Sequence, residues 1–202
     1  MNVDTKKLLS AATLLNLLFL IALINYRSLS LGFNYETLSV IGTLTAISWA
    51  CWILFKNWLW KLSIFQGWLV YIPNLNGGWR GEMKSNWINP ETKKGIAPIP
   101  TTAIIKQNLT NITIDFETNE MESQSIVAAI TSDPHRRSAE ISYIYQSVPG
   151  ADVRNRSPLH YGAAKLKVKR KNGKQLVLTG EYWTGRNTTG KILLSRTDST
   201  VS

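Results

Sequence analysis

The sequence predicts a two-helix transmembrane anchor followed by an all-β domain, an eight-stranded antiparallel up-and-down barrel. Three observations carry this prediction. Two nineteen-residue runs, Leu8–Tyr26 and Thr37–Phe55, hold no formal charge, and each is long enough to cross a hydrocarbon core of about 30 Å as a helix. Beyond residue 72 the apolar residues recur in short alternating runs with turn signals between them. No gap between those runs can hold a crossover helix, so neighbouring strands must return antiparallel.

Composition supports the division. The chain of 202 residues carries a net charge of +10, and its mean hydropathy of −0.08 averages two unlike parts. Residues 1–72 hold five basic and two acidic side chains in an otherwise apolar stretch; the remainder holds eighteen and eleven. A single cysteine, Cys51, excludes a disulfide framework and a cysteine-based zinc site. Two histidines far from clustered carboxylates give no metal centre.

The first run holds eight leucines with Phe19, Ile21 and Ile24. Lys6 and Lys7 ahead of it resemble the start of a signal peptide. The run is long for such a leader and no small-residue cleavage site follows, so a retained helix is expected. Lys6 and Lys7 precede the first span and Lys56 and Lys61 follow the second, which places both ends on the cytoplasmic side, in a bacterium at the inner membrane. Five of the eight tryptophans fall between Trp49 and Trp68, and residues 56–72 read as an interfacial linker. Asn16 is the costliest side chain inside a span; an interhelical bond in an oligomer would satisfy it. Gly42-x-x-x-Ala46 would permit close helix contact.

Pro73-Asn-Leu-Asn-Gly-Gly78 breaks the chain and opens the barrel domain, expected over 73–202. Strands are expected at 78–87, 99–107, 110–118, 122–131, 138–146, 159–170, 174–184 and 187–197. Asn172-Gly173 is the clearest hairpin turn. Strand four does not alternate, and its facing stays open. A barrel this size is filled by side chains or holds one small ligand. A transmembrane barrel is excluded because the outward Lys165/Lys167/Lys169 face cannot meet lipid. Trp79 on the first strand and Arg196 on the last would lie side by side if those strands close the barrel, with the guanidinium stacked on the ring as a plug. Gly77-Gly-Trp79 is similar to the opening of lipocalin-like barrels.

The other end is then the mouth, built from the connections after strands one, three, five and seven. Lys93, Lys94, Arg154, Arg156 and Arg186 collect there, with Trp87, Phe116, Tyr145, His160 and Tyr182 pointing inward nearby. Guanidinium forks match phosphate oxygens and flat rings stack on bases. The candidate ligand-binding residues are therefore Arg154, Arg156 and Arg186 for phosphates, Trp87, Tyr145 and Tyr182 for bases, and Thr101 and His160 for base edges. The Lys165–Lys171 stripe reads as a solvated face or one drawn to anionic headgroups. Nothing fits DNA or RNA, since there is no recognition helix or RNP-like motif. No Walker loop, nucleophile elbow or paired inward carboxylates occurs, and nothing supports an enzyme.

Two N-terminal spans, a tryptophan-rich juncture, then Pro73-Asn-Leu-Asn-Gly-Gly-Trp-Arg-Gly81 with Ser85-Asn86-Trp87 after it: this layout resembles the two-transmembrane, β-strand-rich effectors associated with bacterial CD-NTase enzymes in CBASS anti-phage defence. The resemblance implies a barrel that senses a cyclic dinucleotide made by the partner enzyme. It further implies a homo-oligomer on activation and helices that then disrupt the inner membrane and kill the infected cell. The residues alone leave two other readings open: a membrane-tethered lipocalin-like carrier or sensor of a small apolar ligand, and a barrel that docks a protein partner.

Overall fold

The computed structural model describes residues 3–27, 35–133, 138–155, 157–171 and 175–197. The chain divides into two compact units, a helical one over Val3–Tyr71 and a barrel that begins at Ile72.

The helical unit holds α1 (Thr5–Arg27) and α2 (Tyr35–Asn57). Asp4 caps α1, its carboxylate accepting from the Lys7 backbone N–H at 3.1 Å. Both helices are long and apolar enough to cross a membrane. Asn16 has partners within the chain: its Oδ1 accepts the Ser48 hydroxyl of α2, and its Nδ2 donates to the Ala12 carbonyl at 2.9 Å. A Cβ placed on Gly42 would meet nothing within 4 Å, so the Gly42–Ala46 pair is not packed against another helix. After α2 come two single turns of 3-10 helix, Leu59–Lys61 and Ser63–Phe65. The following segment returns to the start of α1, where Asp4 N–H donates to Leu69 O at 2.9 Å and Lys7 Nζ to Trp68 O at 3.1 Å. Trp49, Trp52, Trp58 and Trp68 are exposed, and Trp60 is fully buried.

The barrel closes through eight antiparallel strands in chain order: β1 (Gly77–Ser85), β2 (Ile99–Gln107), β3 (Ile112–Thr118), β4 (Met121–Asp133), β5 (Ser138–Pro149), β6 (His160–Lys171), β7 (Gln175–Thr184) and β8 (Thr189–Arg196). These bounds follow the sequence expectation because alternation and turn residues agree along most of the chain. Lys171 pairs with Gln175, so the β6–β7 turn is short; the Asn172-Gly173 pair itself lies outside the described residues.

β4 explains why its sequence does not alternate. Ser125 pairs with Tyr145 and Val127 with Ile144, leaving Ile126 as an extra residue in a β-bulge. Before it Met121, Ser123 and Ser125 turn inward; after it Ala128, Ile130 and Ser132 do. Pairing of β4 with β3 spans only Asp115↔Gln124, Phe116↔Ser123 and Glu117↔Glu122. The Ile114 N–H beyond it donates to the Ser125 hydroxyl at 2.9 Å.

Closure brings Trp79 opposite Arg196 in register. The arginine does something other than the stacking expected of it. Its guanidinium donates to the backbone carbonyls of Asn74 and Asn76, and the Trp79 indole donates to Leu75 O at 3.0 Å. Gln107 completes the seal, accepting from Leu75 N–H at 2.8 Å and donating to Pro73 O at 3.2 Å. Residues 73–76 thus form a plug whose polar groups are satisfied by the strands they cover. Above it, Ile105, Ile114, Ile141, Leu166, Leu178 and Leu194 fill the closed half of the barrel.

Candidate functional site

The other half is hollow. A cavity of about 770 Å³ opens between the β1–β2, β3–β4, β5–β6 and β7–β8 connections, within the 300–1,000 Å³ range of small-ligand sites. Inward-facing positions of the strands supply its wall, and the four connections supply its rim.

One side of the wall is aromatic. Phe116 and Tyr143 lie nearly parallel with centroids 6.2 Å apart, and Tyr143 continues to Tyr145 at 5.7 Å. Two of the tyrosines lie over glycines on the neighbouring strand. Tyr145 pairs in register with Gly162, and a Cβ there would come within 2.4 Å of its ring. Tyr182 pairs with Gly190, where a Cβ would come within 2.5 Å. Glycine at these two positions lets each ring lie along the wall, which keeps the lumen open. Burial pushes the Tyr145 hydroxyl up to about 12, with nearby Tyr182 adding to the shift and Arg186 opposing it. Burial, first, and Tyr145, second, raise Tyr143 still further. Both remain protonated donors.

The polar groups gather at the rim. Arg186 Nη1 donates to the Ser157 hydroxyl at 2.8 Å. Ser157 and Ser147, both buried, donate onward to the Met121 sulfur at 3.8 and 3.5 Å, and Ser123 donates to Ser147 at 3.2 Å. A thioether is a weak acceptor, so these hydroxyls are free to prefer a stronger one. His160 is buried and its Nδ1 faces Pro158 O at 3.0 Å. That carbonyl makes Nδ1 the protonated nitrogen and leaves Nε2 as an acceptor. Burial and the Arg186 charge lower the histidine's pKa, outweighing the carbonyl's opposite pull.

The structure thus brings Trp87, Tyr145, His160, Tyr182 and Arg186 to one cavity. Thr101 does not line it: it is buried and its hydroxyl is committed to Glu117 O at 2.9 Å. Arg154 is exposed, away from the lining, and donates to Pro149 O at 3.4 Å. Arg156 lies outside the described residues. Lys93 and Lys94 are exposed on the β1–β2 connection and do not reach the lining. Sequence reasoning missed the serines and Met121. The bulge at Ile126 hid the phase of Ser123 and Met121, and Ser157 comes from a connection with no periodicity to read.

Two comparisons place this geometry among known proteins. The family model described as Cap15, cyclic dinucleotide receptor domain, matches residues 70–196. CD-NTase-associated protein 15 of Staphylococcus schleiferi is 26% identical over 159 residues, 79% of this chain and 80% of that protein.

Proposed function

The chain belongs to the Cap15 cyclic dinucleotide receptor family, and on that premise we propose that it is a membrane-anchored anti-phage effector whose barrel cavity takes a cyclic dinucleotide. The observation that carries the reading is the pairing, in one cavity, of a ladder of aromatic rings with Arg186 and a row of poorly satisfied serine hydroxyls. A cyclic dinucleotide needs both: flat faces for its bases and donors for its phosphates.

In this reading Arg186 and Ser157 hold one phosphate, Ser157 and Ser147 exchange the Met121 sulfur for phosphate oxygens, and Ser123 supports Ser147. Trp87, Tyr145 and Tyr182 stack or wall the bases. His160, neutral with Nε2 as acceptor, receives an exocyclic amine. Arg154 and Arg156, on the β5–β6 connection, remain the candidates for the second phosphate; Arg154 would have to leave Pro149 to serve. α1 and α2 cross the inner membrane with the barrel in the cytoplasm. Binding favours an assembled state through its higher affinity for that state, and the gathered helices disrupt the bilayer, ending in cell death. Met83, Phe116 and Ile192 in the wall would equally suit a carrier of an apolar molecule; Arg186 at the rim argues for an anion.

The test is thermal unfolding of the full-length protein in detergent with a panel of cyclic dinucleotides, the matching linear dinucleotides, and long-chain fatty acids. A ligand at a hundredfold excess over its Kd adds about 2.7 kcal/mol of stability. A shift with one cyclic dinucleotide and none with its linear form supports the proposal. A shift with fatty acid alone would replace it with the carrier reading.

A further inference from the structure

The plugged end of the barrel is basic. β1 starts from that end, and β2 and β6 run towards it. Arg80 stands near the start of β1, Lys106 is the last but one residue of β2, and Lys169, Arg170 and Lys171 are the last three of β6. All five side chains are exposed. Register carries Lys169 across Val177 and Ser195 to Arg80, so these two lie in one row of the outer surface. Further along the wall the cations are matched. Lys84 bonds to Glu82 at 3.1 Å, Lys165 bonds to Glu140 at 3.0 Å with Lys167 opposite the same glutamate, and Lys191 pairs with Glu181. None of the five cations of the plugged end forms an ion pair among the described residues. The acid at this end is Asp133, the last residue of β4; Asp115 and Glu117 stand mid-strand and mouthward on β3.

We infer that the plugged end of the barrel is a docking surface for anionic phospholipid headgroups. The inference rests on the membrane-anchor part of the reading above and is independent of the ligand.

Charge selects an anionic occupant, and position selects lipid. The chain enters the barrel through residues 73–76, at the end that carries the five cations. Those residues follow directly in sequence on the stretch that bears Trp58, Trp60 and Trp68, so no spacer separates the basic end from the anchor. The form of the surface agrees. Its cations are spread over three strands, and most are lysines, which act as point charges on flexible stems. A headgroup layer of mobile charges suits such a surface. A single small anion needs donors that converge in a pocket, and the cavity of the barrel lies at the opposite end. Each basic side chain near an anionic leaflet favours the docked state about fivefold. Docking has a consequence for the site: with the plugged end on the headgroups, the mouth is turned to the aqueous phase, from which a soluble messenger must come.

The experiment uses the full-length protein reconstituted into vesicles, in a Cys51→Ser background, with a dye on Thr113→Cys, which faces Lys106 in register and is exposed. A second preparation carries the dye on Glu91→Cys in the β1–β2 connection at the mouth. Each vesicle contains a trace of lipid with a quencher on its headgroup, in phosphatidylcholine alone or in an equal mixture with phosphatidylglycerol. The expected result is at least about twofold stronger quenching at Thr113→Cys in the anionic vesicles than in the neutral ones, with no such gain at Glu91→Cys. The gain should vanish as salt rises from about 0.1 M to 1 M, where the Debye length falls from ~10 Å to ~3 Å. Lys169→Gln, Arg170→Gln and Lys171→Gln together should lower the docked-to-free ratio about a hundredfold and abolish the gain. Lys169→Arg with Lys171→Arg should keep it. Equal quenching at Thr113→Cys in the two lipids overturns the proposal, as does a gain at Glu91→Cys instead. Both outcomes are read on side chains outside the cluster of substitutions, so they decide the matter even if the triple variant misfolds. A response to duplex DNA in neutral vesicles, with none to phosphatidylglycerol, would assign the face to nucleic acid and overturn the proposal. Alkaline carbonate extraction tests the premise separately: protein stripped from neutral vesicles would remove the anchor reading and this inference with it, whereas protein that stays embedded without a lipid-dependent gain removes the inference alone.

Discussion

At Arg186 the chain sets a cation against a serine hydroxyl, at the rim of a cavity with aromatic walls. If that guanidinium holds a phosphate, Arg186→Ala removes a charge-assisted bond of about 1.5–3 kcal/mol, roughly a 10- to 100-fold loss of affinity. Calorimetry on the full-length protein measures it, and an unchanged Kd would remove Arg186 from the site. His160 makes a separate prediction. Its folded pKa is lowered, chiefly by burial, so the unfolded chain takes up the proton first as pH falls. The stability from a neutral His160 is therefore complete above about 6.5, the unfolded value, and declines as pH drops below it towards the folded pKa. Melting temperature against pH should fall less steeply in His160→Gln than in wild type over that window. Alternation alone placed the side chains of Tyr145, His160 and Tyr182 inward. It did not tell lining residues from packed ones: Thr101 is inward too, but its hydroxyl is spent on Glu117. Nor does it reach connections, where Arg154 and Arg186 look alike in sequence and end up with different neighbours.

Among the elements, the strands were legible because hydrophobic period, turn residues and length all agree, and β4 was illegible for a physical reason. One extra residue at Ile126 inverts the phase halfway along, so no single period describes the strand. β6 offers the sharpest test of how strands shape the lumen. Gly162→Ala would put a methyl 2.4 Å from the Tyr145 ring and 2.8 Å from Trp183 O. The ring is mobile and the carbonyl is not, so the substitution should cost about 1–3 kcal/mol and push Tyr145 into the cavity. Denaturant unfolding reads the first effect. The second appears as weakened ligand binding beyond what the stability loss explains. The helices, by contrast, showed their length in sequence but not their pairing: nothing in the linear order singles out Ser48 as the partner of Asn16.

For the whole molecule, the plug of residues 73–76 has a kinetic consequence. With one end sealed by Gln107, Arg196 and Trp79, whatever occupies the barrel arrives and departs by the same door. Entry and exit then cross a common barrier, and anything that raises or lowers it scales the two rates alike. Shortening the β1–β2 connection at Glu91–Thr92, outside the cavity lining, should speed arrival and departure by the same factor while the equilibrium stays put; stopped-flow fluorescence separates the two rates. A receptor built this way can have its dwell time tuned without retuning its sensitivity. How long an alarm persists after its messenger is withdrawn becomes a property of the doorway rather than of the room behind it.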